Sequence, residues 1–140
     1  MMTPDTNATA LTAMLREAQD APQVVAHLLA SNAPLCRELG ERLRASSPPF
    51  AVTCARGSSD NAATFVKYLL EIHSGLVTAS VGPSVTSVYE ARPRMREALF
   101  LAVSQSGRSP DILHLAQAGR DDGALTVALV NDTNSPLAST

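Results

Sequence analysis

A group of hydroxyl side chains lies between a predicted apolar strand and a predicted helix. Residues 98–103 are apolar, and Ser104, Gln105, Ser106 and Ser109 follow before a helical pattern that starts at Pro110. The first N–H groups of a helix lack intrahelical partners and carry the positive end of its dipole. Hydroxyls beside such N–H groups form a neutral set of donors that suits a phosphate group. Taken alone, the stretch also fits an ordinary capped turn between a strand and a helix.

Local chemistry favours a tight turn at this position. Gly107 allows a positive φ, Ser109 can act as an N-cap, and Pro110 fits the first helical position. A second turn of the same kind, Gly57-Ser58-Ser59, follows the apolar run 50–54. Open α/β sheets place their ligands at the carboxyl ends of their strands, which is where both turns are predicted.

The two turns also exclude some ligands. Neither contains the lysine of a P-loop, and the sequence has no G-x-G-x-x-G motif. Nucleoside triphosphates and dinucleotides are therefore disfavoured. A single phosphate on a small polar molecule is favoured.

The chain alternates apolar strand patterns with helical patterns. The predicted strands are residues 50–54, 76–81, 98–103 and 124–130. Between them, helices are predicted before Gly75, over 85–92, and from Pro110 to Gln117 or slightly beyond. Nearly continuous apolar strands are typical of a buried parallel sheet. The alternation predicts an α/β protein with a doubly wound, three-layer, flavodoxin-like parallel sheet and right-handed crossovers.

The helix before Gly75 has a clear apolar period. Its inner face is predicted from Ala62, Phe65, Val66, Leu69 and Ile72, with Lys67 and Glu71 on the outer side.

The amino-terminal third is predicted to be helical. A short helix is expected over residues 10–18, and a second pattern runs from Val24 to Leu43 with a break or kink at Pro34. The run Ser46-Ser47-Pro48-Pro49 ends it. We therefore predict a helical lead-in over residues 1–48 and a sheet domain over 49–140.

Composition limits the possible partners. A net charge of −2 gives no electrostatic case for nucleic acid, and no apolar run approaches the roughly 18 residues that span a bilayer. A cytoplasmic protein without a membrane partner is expected.

The two cysteines, Cys36 and Cys54, form no C-x-x-C pair, so no metal site is predicted. For Cys54 a small buried apolar role is favoured over that of a nucleophile.

At its polar turns the sequence resembles the sugar isomerase (SIS) domain family. The branch is that of the isomerase half of glutamine–fructose-6-phosphate aminotransferase and of phosphosugar isomerases and glucosamine-6-phosphate deaminases. The matching segments are 55–63, 104–111 and 130–138, and the similarity covers roughly residues 14–138. The resemblance implies that Ser58, Ser59, Ser104, Gln105, Ser106 and Ser109 bind a sugar phosphate, with Gly57, Gly107 and Arg56 in support. It implies no metal or organic cofactor and a homodimer.

Two arginines depart from the pattern of the aminotransferase. Arg108 stands where that enzyme has an acidic residue, and Arg56 precedes the glycine of the first turn. Arg56 could strengthen phosphate binding through a charge-assisted hydrogen bond. It could equally pair with Asp60 or Asp111.

No catalytic residue is assigned from the sequence. The candidate acids and bases are His27, His73, His114, Glu90 and Glu97, and a structural role is favoured for each histidine. A five-stranded SIS sheet would need a further strand, so we expect the front part of a longer protein whose catalytic groups lie beyond Thr140.

The expected function is phosphosugar binding within an amino-sugar phosphate isomerase or deaminase of the glucosamine-6-phosphate or fructose-6-phosphate type. The alternative is a non-catalytic phosphosugar-sensing domain of a regulator.

Overall fold

The computed structural model describes residues 12–140, which divide into two compact units between Ala45 and Ser46. The described part of the first unit is one helix, α1 (Ala13–Ser46). Thr12 caps it, because its Oγ1 accepts a 3.2 Å hydrogen bond from the backbone N–H of Leu15.

The predicted division of this segment, into a short helix over 10–18 and a second helical pattern that breaks at Pro34, was wrong. Both Pro22 and Pro34 lie inside α1, which continues through them. A proline removes a single N–H donor and crowds the preceding turn. The neighbouring residues are largely good helix formers such as Ala, Leu and Arg, so the bonds on either side persist. Residues 10 and 11, where the first helix was predicted to begin, lie outside the described residues.

The second unit alternates strands and helices. It comprises β1 (Ala51–Ala55), α2 (Ser58–Ser74), β2 (Thr78–Ser80), α3 (Ser84–Ser87), β3 (Leu99–Ser104), α4 (Pro110–Asp121), β4 (Leu125–Val130) and α5 (Pro136–Ser139). Helix α3 is shorter than the predicted 85–92, and α5 was not predicted. No helix described within residues 12–140 combines the length and apolar character needed to cross a membrane.

The four strands form one parallel sheet in the order β2-β1-β3-β4. The predicted α/β fold with a parallel sheet is confirmed. Because β1 and β3 are the central strands, their side chains are covered on both faces, which accounts for their continuous apolar sequences.

The main hydrophobic cluster lies on one face of the sheet. Val52 and Cys54 of β1 alternate with residues that point to the other face, and they pack with Phe100 of β3. Helix α4 covers this face with Ile112 and Leu115, both buried. The core thereby fixes the start of α4 relative to the ends of β1 and β3.

The predicted inner face of α2 was largely wrong. Helix α2 packs on β1, β2 and β3 with Ala63 buried and with Lys67 and Glu71 half-buried, whereas Phe65 and Ile72 are exposed. The Lys67 ammonium donates to Glu71 Oε1 and, at 2.8 Å, to the backbone oxygen of Thr78. These polar bonds to the edge strand determine which side of the helix faces the sheet, and the spacing of its apolar residues alone does not indicate that side.

Candidate functional site

The strand order brings the two serine turns to the same edge of the sheet. Strands β1 and β3 are parallel neighbours, with Ala55 in register with Val103, so their carboxyl ends lie side by side. Arg56 Nη1 lies 2.9 Å from Asp111 Oδ2, which joins the residues that follow the two strands. The turns predicted to act together are therefore adjacent.

The first turn presents unpartnered donors. Gly57 is the N-cap of α2 with a φ of 57°, and its carbonyl accepts the backbone N–H of Asp60 at 3.1 Å. Ser58 is exposed and Ser59 is half-buried. Neither hydroxyl forms a hydrogen bond with any residue in the described range 12–140, and the backbone N–H groups of both lie in the first turn of the helix, where no intrahelical acceptor exists.

Two serine hydroxyls of the second turn accept hydrogen bonds from backbone N–H groups of the same turn. Ser104 Oγ is buried and accepts the backbone N–H of Gly107 at 3.1 Å. Ser106 Oγ accepts the backbone N–H of Arg108 at 3.3 Å. A hydroxyl that accepts still has its own proton to donate, so both serines remain donors. The half-buried hydroxyl of Ser109 makes no capping bond to its helix.

Gly107 is constrained by a close approach as well as by its backbone angle. Its φ is 61°, and a Cβ at this position would lie 2.1 Å from Ser135 Oγ. The carbonyl of Gly107 accepts the backbone N–H of Leu137 at 3.1 Å. The second turn therefore rests directly on the start of α5.

The loop after β4 is a third part of this edge, and none of its residues was named as a candidate. Asn131 donates its backbone N–H to the carbonyl of Gln105 at 3.3 Å, while the Gln105 side chain is exposed. The loop belongs to segment 130–138, which was noted for its resemblance to the family, and the repeated Ser-Pro pair is a second signal that could have found it. Ser109-Pro110 and Ser135-Pro136 each supply an N-cap and a proline at the start of a helix.

Two ion pairs flank the second turn. Arg56 pairs with Asp111, one of the two aspartates considered for it, and Arg108 Nη2 lies 2.9 Å from Asp132 Oδ2. The pKa of Asp132 is lowered, first by the backbone N–H of Asn134 and then by Arg108. Each arginine charge is thus balanced by a carboxylate, and the hydroxyls between them form a nearly neutral donor surface.

Cys54 lies beneath this edge as a neutral thiol. Burial, together with the negative charges of Asp111 and Asp60, raises its pKa to about 12. The thiol therefore stays protonated near neutral pH and cannot act as a thiolate nucleophile.

The candidate acids and bases are scattered. His73 is in the last turn of α2, and Glu97 precedes β3, at the amino edge of the sheet. Glu90 and His114 line a cavity of about 790 Å³ that also contacts Asp122, beyond the end of α4. His27 belongs to α1, in the other unit. Among residues 12–140, no group of three or more His, Cys, Asp or Glu could hold a metal ion.

Comparison with protein families matches residues 50–140 to the SIS domain. Among curated proteins, the glutamine–fructose-6-phosphate aminotransferase of Campylobacter jejuni is 34% identical over 84 residues, which is 60% of this chain and 14% of that protein. The chain therefore spans a small part of the length of this relative.

Solved structures share the fold. A protein from Silicibacter pomeroyi described as a phosphosugar isomerase is 49% identical, with a TM-score of 0.88 over 92% of this chain and 39% of that one. The tagatose-6-phosphate ketose/aldose isomerase of Escherichia coli is 16% identical, with a TM-score of 0.76 over 99% of this chain and 39% of that one. At this identity the second likeness concerns the fold alone.

Proposed function

Because the chain belongs to the SIS domain family, we propose that the carboxyl edge of its sheet binds the phosphate group of a hexose phosphate. The observation that carries the proposal is the set of donors at that edge. The hydroxyls of Ser58, Ser59 and Ser109 have no partner among residues 12–140, and they stand on turns that follow adjacent strands. The first backbone N–H groups of α2 add to the set.

The residues proposed to contact the phosphate are Ser58, Ser59, Ser104, Gln105, Ser106 and Ser109. Gly57 and Gly107 supply the positive φ angles of the two turns, and Arg56 supports the first turn through Asp111. Hydroxyl and N–H donors keep their protons across the ordinary pH range, so they orient an anion without titrating themselves.

The proposed chemistry of the whole protein is isomerisation or deamination of an amino-sugar phosphate, of the glucosamine-6-phosphate or fructose-6-phosphate type. The support is the sequence relation to the isomerizing aminotransferase of Campylobacter jejuni and to the phosphosugar isomerase from Silicibacter pomeroyi. Proton transfer next to a carbonyl needs a positioned base, and the phosphate site would hold the sugar for it. We also propose a homodimer, as the resemblance to the SIS family implies, and a cytoplasmic location.

Calorimetric titration of the full chain with glucosamine 6-phosphate and fructose 6-phosphate tests the site, with glucosamine and fructose as ligand controls. Ser59→Ala and Ser106→Ala should each weaken binding by about 1–3 kcal/mol, because each removes a hydrogen bond to a charged group. Ser74→Ala, at the exposed far end of α2, is the matched control and should leave the affinity unchanged.

Equal affinity in the wild type and in both turn variants would discard the assigned residues. No binding of either phosphosugar would discard the proposed function for this chain. Turnover of either phosphosugar would contradict the alternative, a non-catalytic phosphosugar sensor.

A further inference from the structure

Asp60 lies beside the proposed phosphate site without a cation to balance its charge. It follows Ser59 in the first turn of α2, its side chain is exposed, and it forms no ion pair with any residue in the range 12–140. The other carboxylates at this edge, Asp111 and Asp132, are each paired with an arginine. Asp60 therefore leaves the edge with one unbalanced negative charge.

The Asp60 carboxylate is close to the end of strand β1. Burial is the main cause of the raised pKa of the Cys54 thiol in that strand, and the negative charges of Asp111 and Asp60 contribute to it. Two carboxylates, one from α4 and one from α2, thus act on the same strand end. Neighbouring Cα atoms are about 3.8 Å apart, which is shorter than a hexose. A sugar whose phosphate is bound at Ser59 therefore has its ring within reach of Asp60.

Stabilisation of the helix accounts for Asp60 only in part. An acidic residue in the first turn interacts favourably with the helix dipole. The same negative charge repels a phosphate dianion bound at the adjoining hydroxyls, because like charges near a protein surface raise each other's free energy. A ligand that also carries a cation removes this conflict, since the cation can pair with Asp60 while the phosphate binds the serines.

We propose that Asp60 binds the ammonium group of an amino-sugar phosphate and thereby selects this class over phosphosugars that carry no cation. The inference rests on the proposed function, because it takes the serine turns as the phosphate site. An ammonium group offers three N–H donors, and a carboxylate with no other side-chain partner accepts them in charge-assisted hydrogen bonds. A hydroxyl at the same sugar carbon is neutral, so it leaves the repulsion between Asp60 and the phosphate uncompensated.

Calorimetric titration of the full chain with glucosamine 6-phosphate and glucose 6-phosphate tests the assignment, because the two sugars differ only in an amine or a hydroxyl at C2. At about pH 7 the amine is mostly protonated and the phosphate is mostly the dianion. The wild type should bind glucosamine 6-phosphate more tightly. Asp60→Asn should weaken that binding roughly twofold to fivefold, as for an exposed charge pair, and should strengthen the binding of glucose 6-phosphate by a similar factor.

Control variants separate charge from structure. Asp121→Asn changes an exposed aspartate at the far end of α4 and should leave both affinities unchanged. Asp60→Glu keeps the charge and should keep the preference for the amino sugar. Circular dichroism melting verifies that each variant is folded, and Asp60→Ser replaces Asp60→Asn if that variant is not.

The opposite signs of the two changes distinguish this role from a purely structural one. A loss of Asp60 that weakened both ligands alike, or that left the ratio of their affinities unchanged, would overturn the inference. A wild type that binds both phosphosugars equally would also overturn it, while the proposed phosphate site would stand. Absence of binding by either phosphosugar would overturn the proposed function, and this inference with it.

Discussion

Arg56 Nη1 lies 2.9 Å from Asp111 Oδ2, so one ion pair joins the turn after β1 to the first turn of α4. The Arg56 side chain is 60% exposed, whereas that of Asp111 is 20% exposed. The other carboxylate oxygen, Asp111 Oδ1, accepts the backbone N–H of Ile112 at 3.0 Å. The carboxylate is therefore held in place from α4, and the arginine is the more exposed partner of the pair.

We predict a small coupling energy for this pair. In a double-mutant cycle with Arg56→Ala and Asp111→Asn, urea unfolding should give a coupling of at most about 1 kcal/mol, because solvent screens an exposed pair. Arg96→Ala serves as the control arginine, since Arg96 is exposed and forms no ion pair within residues 12–140. A coupling of several kcal/mol would show that the pair is shielded from water in solution, contrary to its exposure here.

Gly107→Ala should destabilise the protein more than Gly75→Ala does. The two glycines have nearly the same φ, 61° and 65°, so both alanines carry the strain of a left-handed residue, roughly 1–2 kcal/mol. Only at Gly107 would the new Cβ lie 2.1 Å from Ser135 Oγ; at Gly75 nothing lies within 4 Å. Overpacking at Gly107 should add about 1–3 kcal/mol, measured as the difference in the free energy of unfolding. Equal losses for the two variants would mean that the second turn does not rest on α5.

Asp132 should make the stability depend on acid pH. Its pKa is lowered from 3.8 by the N–H of Asn134 and by Arg108, so the folded state favours the charged form. The associated stability is present above the ordinary pKa of aspartate and is lost as the pH falls through the lowered value. Between about pH 5 and about pH 2.5, the free energy of unfolding should fall less in Asp132→Asn than in the wild type. Parallel curves for the two proteins would contradict this assignment. Glu71 titrates in the same acid range in both proteins, so it cancels in the comparison.

The two cysteines should differ in reactivity. Cys36 is exposed, whereas Cys54 is buried with its pKa raised to about 12. A thiol reagent at about pH 8 should modify one thiol per native chain, and both after unfolding in guanidinium, because the thiolate is the reactive form. Cys36→Ser should then show no fast reaction in the native state. Rapid labelling of that variant would mean that the carboxyl end of β1 opens readily.

Features encoded by neighbouring residues could be predicted from the sequence. The continuous apolar runs of β1 and β3 indicated buried parallel strands, and the parallel sheet is confirmed. Ser109 and Pro110 occupy the predicted N-cap and first helical positions, and Gly107 has the predicted positive φ. Each of these follows from steric or hydrogen-bonding preferences within a few residues, which do not depend on the rest of the fold.

Long-range contacts decided the rest. The period of α2 identified an apolar face, but Thr78 on β2 fixed which side of the helix meets the sheet, through Lys67 and Glu71. The sequence left the partner of Arg56 open, and the packing of α4 against β1 and β3 selected Asp111. It also gave no sign that Ser135 would crowd Gly107. Composition and spacing thus predicted the four strands, the helices α2 and α4, and the position of the polar turns. Only the tertiary structure determined which surfaces meet, because those contacts join residues far apart in the chain and depend on the competition between all possible pairings.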